Sequence, residues 1–417
     1  MMLRLRSQQF EEPAPENAAQ STPPNILARC ARYTLADETK ALGVYPYFRP
    51  IETGQDTEVV VDGRTMLMLG SNSYLELTTH PKVKARAVEA IRRYGTGCAG
   101  SRLLNGTLPI HLELEQRIAQ LLGKEAAIVY STGYQTSIGV ISCLVQSGEF
   151  VLSDKLNHAS IFDGAMLSSG TMVRYRHSDM ADLERRLAEL PASAGKLIVS
   201  DGVFSMEGDI CDLPGIVDLA RKFGAQILLD DAHAIGVLGP GGAGTAAHFG
   251  LTGHVDLIMG TFSKSLAATG GFVASSERVI NYLKHHSRAS IFSASATPAS
   301  IAAVLAALDV MRDEPERIER LWKNAIYMKT ALDALGFDTG ASQGPVIPIV
   351  VGDMARCFQV WRWLHEQGIF VNPVVPPAVP PARTLIRLAL TAGHTRPQLA
   401  WALEKLAEAG RRFGLIG

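Results

Sequence analysis

The sequence predicts an α/β protein with a mostly parallel central sheet in a large domain and a smaller α/β domain at the C-terminus. Two observations lead there. Between about residues 80 and 300, short apolar runs alternate with amphipathic segments, the rhythm of parallel strands joined by covering helices. After Ala302 the rhythm changes to longer helical patterns separated by two short apolar runs, so a second unit closes the chain. A length of 417 residues fits two to three structural units at about 150 residues each. The expected division is a tail and arm over residues 1–75, a large domain over 76–302 and a small domain over 303–417.

Composition narrows the function. With 47% hydrophobic, 19% charged and 7% aromatic residues, the chain reads as an ordinary globular protein. Forty basic and 41 acidic side chains leave a net charge of −1 without strong blocks. Nucleic acid is therefore not expected as a partner, and membrane contact is at most peripheral. The five cysteines are widely spaced and never form Cys-x-x-Cys, which predicts reduced thiols and a cytoplasmic location, with no metal ligand set. The longest apolar window, Ile301–Val310, already contains Asp309 and cannot span a bilayer. The first 25 residues are rich in Glu, Pro and Gln and lack an apolar stretch, so they read as a loose tail rather than a secretory signal.

Strands are expected at Ala126–Tyr130, Phe150–Ser153, Leu197–Asp201, Gln226–Asp230, Asp256–Gly260 and Gly271–Ala274. Helices are expected at Val83–Tyr94, Asp179–Leu190 and Pro214–Phe223. The small domain is expected to hold helices Pro315–Leu335, Met354–Gln367 and Arg396–Arg411, with strands Val346–Val351 and Thr384–Leu390. Five prolines between Asn372 and Pro381 predict an extended, pre-ordered loop leading to Arg387.

Gly95-Thr-Gly-Cys-Ala-Gly100 formally matches G-x-G-x-x-G, but a charged helix precedes it instead of a strand. That excludes the dinucleotide fingerprint and leaves a flexible turn. Lys264 lies in Thr261-Phe-Ser-Lys-Ser265, just beyond an apolar strand, where ligands of open α/β sheets bind. An amine there suits an imine-forming nucleophile, against the plain alternative of a solvated lysine. Asp230 ends the run Ile227-Leu-Leu-Asp230 ahead of Asp231 and His233. A carboxylate at that position, near Lys264 in the fold, is what pyridoxal phosphate chemistry needs to keep a ring nitrogen protonated, whereas helix capping is the simpler role. His158 could stack on a planar cofactor or be merely a satisfied polar residue. The order Gly133-Tyr134, His158, Ser205, Asp230, His233, Lys264, Arg387 carries more than any member alone, because each element follows a strand or turn of one sheet.

Taken together the chain resembles the α-oxoamine synthases, pyridoxal phosphate enzymes of fold type I (aspartate aminotransferase-like) that condense an amino acid with an acyl-CoA and release CO2. The resemblance runs from about Tyr45 to the C-terminus. It rests on Ser71-Asn-Ser-Tyr-Leu75, Gly95 to Thr107, Thr132-Gly-Tyr134, Asn157-His-Ala-Ser160, Asp201 to Asp209, Asp230-Asp-Ala-His233, Gly260 to Ser265 and Thr391-Ala-Gly-His-Thr395. The closest echoes lie in the sphingolipid branch, in Gly100 to Thr107, the proline-rich loop and the ending Gly414-Leu-Ile-Gly417.

The resemblance implies that Lys264 attaches pyridoxal 5′-phosphate, Asp230 pairs with its ring nitrogen and His158 stacks on the ring. Ser205 and His233 would bond its 3′-oxygen, while Gly133, Tyr134 and Thr261 would hold the phosphate. Arg387 would bind the carboxylate of the amino acid, expected to be L-serine with a long-chain acyl-CoA as donor, and Asn72 would lie near that substrate. A homodimer with shared active sites is implied as well, with Ser293 and Ala294 reaching the partner's phosphate. One departure stands out: where the branch shows Arg-Pro-Pro-Ala-Thr-Pro, this chain has Val375-Pro-Pro-Ala-Val-Pro380, so a second arginine near the carboxylate is missing. Other branches of the family, a simple aminotransferase and a catalytically silent partner subunit are the competing expectations.

Overall fold

The computed structural model describes residues 25–417, so the loose-tail reading of the N-terminus lies outside the described residues apart from residue 25. Two short helices, Ala28–Ala31 and Leu35–Ala41, are followed by an N-terminal hairpin formed by β1 (Glu58–Val61) and β2 (Arg64–Met68). Its turn is Asp62-Gly63, both in the left-handed region with φ of 51° and 68°. Such a pair matches the right-handed twist of a two-residue hairpin.

The central sheet holds β3 (Ala126–Tyr130), β4 (Phe150–Asp154), β5 (Thr171–Tyr175), β6 (Lys196–Asp201), β7 (Gln226–Asp230), β8 (Leu257–Thr261) and β9 (Gly271–Ser275). Their order is β3-β9-β8-β7-β6-β4-β5, parallel throughout except for β9, which runs antiparallel to both its neighbours. Every residue of β6 and β8 is buried. That is why these strands read as continuous apolar runs: helices cover both faces. Alternate residues sort into two cores, Val129, Leu152, Ile198 and Leu229 on one face and Ile128, Val151, Val199 and Leu228 on the other.

Beyond it lie β10 (Val346–Val350), β11 (Ile369–Phe370), β12 (Asn372–Val374) and β13 (Leu385–Ala389). β10, β13 and β12 form an antiparallel sheet with β13 in the middle, so Arg387 is flanked by Pro348 and Asn372. β11 pairs in parallel with β2 and ties the N-terminal hairpin to the C-terminal part.

The six expected strands of the large domain are all present within a residue or so, whereas β5 and the hairpin were not foreseen. The helix Pro298–Asp313 runs through position 302 and packs along the helix Pro81–Tyr94. The proline-rich segment is not extended along its whole length. Ala378 N–H bonds to the Val375 carbonyl at 3.1 Å, and Pro381–Arg383 forms a short 3₁₀ turn. Proline fixes φ near the value of turns as well as of extended chain, so the composition alone could not choose. No helix among the described residues is long and apolar enough to cross a membrane.

Candidate active site

The C-terminal ends of β6, β7 and β8 open onto a cavity of about 280 Å³. Asp201, Asp230 and Thr261 are the last residues of those three strands and all line it, as do Lys264, His158 and His233. The sheet thus brings together residues that the chain separates by more than a hundred positions. Asp230 is fixed by its own turn, Oδ1 accepting the Ala232 N–H at 3.0 Å. Lys264 sits in a loop whose ends are tied by Phe262 N–H to the Gly270 carbonyl at 2.9 Å. The Thr261 hydroxyl donates to the same carbonyl at 2.9 Å.

The helix Gly133–Leu144 begins at the cavity wall, capped by Thr132, whose hydroxyl accepts the Gln135 N–H at 3.1 Å. Its first residue must be glycine: a Cβ on Gly133 would lie 2.7 Å from Thr261 Cβ. The close approach points free N–H groups of a helix N-terminus, with their partial positive charge, at the cavity beside the Thr261 and Ser263 hydroxyls. His158 caps the next helix, Ala159–Leu167, with Nδ1 2.8 Å from the Ser160 hydroxyl.

Burial sets the electrostatics. It lowers the Lys264 amine, with Arg387 adding to the effect while Asp230 and Asp201 oppose it. Burial likewise drives His233 well below the ordinary imidazole range, and Lys264, Arg387 and His158 push it the same way. His158 is lowered too, again by burial first. The Asp230 carboxyl is raised by burial against the pull of the Ala232 N–H, Lys264 and His158. Burial thus works against the charged form of the amine, of both imidazoles and of the carboxyl alike. The cavity's lining fits a planar aldehyde cofactor with a phosphate: helix N–H groups and hydroxyls for the phosphate, a buried carboxyl for a ring nitrogen and an amine for the aldehyde.

Arg387 stands beside this cavity. Its Nε donates to the Ser205 carbonyl at 2.6 Å and its Nη2 to Asn72 Oδ1 at 3.1 Å. Tyr74 connects it to the cavity, with its hydroxyl 2.7 Å from His233 Nδ1 and 3.5 Å from the Asn72 Oδ1 that Arg387 also binds. Ser205 is thus placed at Arg387 through its main chain. Ser293 and Ala294 lie beside the first turn of the Gly133 helix, where Gln135 Nε2 donates to Ser293 Oγ at 2.9 Å and the Ser131 hydroxyl donates to the Ala294 carbonyl. Val375 packs on the apolar core. Tyr74, Asp201 and Ser263 are among the site residues that sequence reasoning did not single out, although all three fall within quoted motifs. Asp201 carried the same signal as Asp230, an apolar strand ending on a carboxylate.

Comparison with known proteins agrees with this geometry. The family model for class I and II aminotransferases matches residues 64–406. The serine palmitoyltransferase of Sphingobacterium spiritivorum is 53% identical over 381 residues, covering 91% of this chain and 96% of that protein. The 8-amino-7-oxononanoate synthase of Symbiobacterium thermophilum is 44% identical over 378 residues, covering 90% of this chain and 96% of that one. Among solved structures, a serine palmitoyltransferase variant from S. paucimobilis carrying a bound PLP–myriocin aldimine superposes with a TM-score of 0.91 at 36% identity, covering 94% of this chain and all of that one.

Proposed function

The chain belongs to the class I and II aminotransferase family, within it to the α-oxoamine synthases, and from that premise we propose that it condenses L-serine with palmitoyl-CoA. The products are 3-ketodihydrosphingosine, CoA and CO2, which makes this the entry step of sphingolipid synthesis. The observation that carries the reading is the convergence of a buried Lys264 amine and a buried Asp230 carboxyl on one cavity, with the Arg387 guanidinium held next to it.

Pyridoxal 5′-phosphate supplies the electron sink for the negative charge that develops at the amino-acid Cα. The protein's own residues do the rest. Lys264 Nζ would hold the cofactor's aldehyde end and would serve as the base that takes the Cα proton of serine and later returns one. It can do so because burial favours its neutral form. Asp230 would hold the proton on the ring nitrogen, and His158 would close one face of the ring. The N–H groups at Gly133 and Tyr134 with the Thr261 hydroxyl would hold the phosphate. His233 on the cavity wall, and Ser205 from its loop, would bond the ring's 3′-oxygen. Arg387 binds the serine carboxylate by a charge-assisted pair, oriented by Asn72.

The same reading includes a homodimer in which Ser293 and Ala294 of one protomer complete the phosphate site of its partner. Phe292 beside them is 74% exposed, which supports a face awaiting a second subunit. It also includes the division at residues 75 and 302, a cytoplasmic location and at most peripheral membrane contact.

The test is thiol release from palmitoyl-CoA by the cofactor-loaded protein with serine, glycine, alanine or no amino acid. Release that depends on serine is expected. Release only with glycine or alanine would move the activity to another branch of the family, an outcome that the apolar Val375 keeps in play. No release with any of them would overturn acyl transfer from this donor.

A further inference from the structure

The end of β6 carries a carboxyl group that the chemistry above leaves unused. Asp201 is the register partner of Asp230 on the adjacent parallel strand. Their side chains therefore leave the sheet on the same face and at the same level, one strand apart. Both line the cavity, and Asp201 is only 4% exposed. The backbone N–H of Asp201 donates to Asn157 Oδ1 at 2.9 Å, which ties β6 to the residue just before His158. Its side-chain Oδ1 is buried with no hydrogen-bond partner. A buried oxygen left bare is costly unless it carries a proton that finds an acceptor.

Two neighbouring carboxyl groups in an apolar setting do not both ionise at neutral pH. The groups facing Asp201 are Asp230 from β7, Asp154 from β4, the Tyr175 phenol from β5, the Cys211 thiol, the backbone of His158 and the amine of Lys264. Only Lys264 is cationic, and its function requires it neutral. We propose that Asp201 is a positioning residue that works in its neutral form, directing its carboxyl proton toward Asp230 so that the pair shares one proton and one negative charge. Asp230 then presents that single charge to the ring nitrogen in a fixed orientation. The direction of the Asp201 shift agrees: burial first, then Asp230, drives it well above the usual carboxylate range. The inference rests on the reading of Asp230 as the partner of the ring nitrogen.

Asparagine separates the possibilities because it copies the neutral acid in shape and donor but cannot ionise. The experiment compares Asp201→Asn, Asp201→Ala and Asp230→Ala in the cofactor-loaded protein. It reads serine-dependent thiol release, the affinity for pyridoxal phosphate and the pH profile of the bound cofactor's absorption. Asp201→Asn is expected to stay within about three-fold of wild type in kcat/KM, with an unchanged absorption profile, while Asp201→Ala loses about ten-fold or more and shifts that profile. An Asp201→Asn variant as impaired as Asp201→Ala would show that a charge is required and overturn the proposal. So would an Asp201→Ala variant that behaves as wild type. Asp230→Ala distinguishes the two levels: if it retains wild-type turnover and absorption, the reading of Asp230 fails, whereas its loss beside an impaired Asp201→Asn condemns only the pairing.

Discussion

The Tyr74 hydroxyl lies 2.7 Å from Nδ1 of His233, with Tyr74 wholly buried. The other acceptor in reach of the hydroxyl, Asn72 Oδ1, is 3.5 Å away, and burial keeps the phenol protonated. The tyrosine proton therefore goes to the much nearer Nδ1, and the single proton of the neutral imidazole sits on Nε2. Tyr74→Phe would strip Nδ1 of its donor at a cost of about 1–3 kcal/mol and free the ring to change tautomer. A roughly ten-fold fall in kcat/KM is expected alongside a lower Tm. Unchanged kcat/KM in serine-dependent thiol release would show that the tyrosine does not set the tautomer.

Arg387 is held through two of its nitrogens, by the Ser205 carbonyl and by Asn72. These bonds fix the plane of the guanidinium, and a lysine amine, being a point charge, cannot reproduce it. Arg387→Lys should raise KM for serine by about 10- to 100-fold, the worth of a charge-assisted contact, and leave KM for palmitoyl-CoA within about two-fold. Steady-state kinetics with each substrate varied in turn checks the split. Equal changes in both constants would place Arg387 in general folding rather than carboxylate binding.

What was legible in the sequence follows from how each feature is encoded. Asp230 and Lys264 stand where apolar runs end, and a parallel sheet projects whatever follows a buried strand into the same cleft. β5 was missed because it is an edge strand with intermediate or exposed residues at Thr171–Arg174, so its apolar pattern is weak. The β1–β2 hairpin was written in Asp62-Gly63 between two apolar strands, a signal that went unread. Tyr74 was beyond reach, since its partner His233 lies 159 positions away and only the fold joins them. Val375 illustrates the same limit: the chain shows that the residue is apolar, and only packing shows that it rests on the core.

His177 is clamped between two carboxylates, Nδ1 to Asp154 Oδ1 and Nε2 to Asp209 Oδ2, each at 3.0 Å. Burial pushes its pKa down, but the bonds to Asp154 and Asp209 more than reverse this and raise it from 6.5 to about 10. A histidine raised on folding contributes stability that is complete below its unfolded value and fades as pH climbs to the folded one. The clamp should therefore be strongest below pH 6.5 and decline up to about pH 10. In His177→Asn the deficit against wild type, measured by denaturant melts at stepped pH, should be largest at the acid end and shrink with rising pH. A deficit that stays constant over that range would mean the imidazole is held uncharged.

Glu76 makes the opposite use of burial. It sits at φ 58°, with Oε2 accepting the Thr391 hydroxyl at 2.9 Å, where the N-terminal hairpin meets the end of β13. A Cβ on Gly393 would come within 1.8 Å of that oxygen, so the glycine permits the contact. Burial raises the carboxyl from 4.5 to about 7, against the Thr391 bond that favours the ion. An acid raised on folding binds its proton more tightly in the folded state, so its ionisation removes stability as pH climbs from 4.5 through about 7. Glu76→Gln keeps an oxygen for Thr391 and cannot ionise. Its Tm should match wild type in acid and exceed it increasingly toward pH 8, with a gain on the order of 1–3 kcal/mol. Melts of both proteins across that range decide the matter: a gap that fails to widen with pH would mean Glu76 is already ionised in the folded protein at low pH.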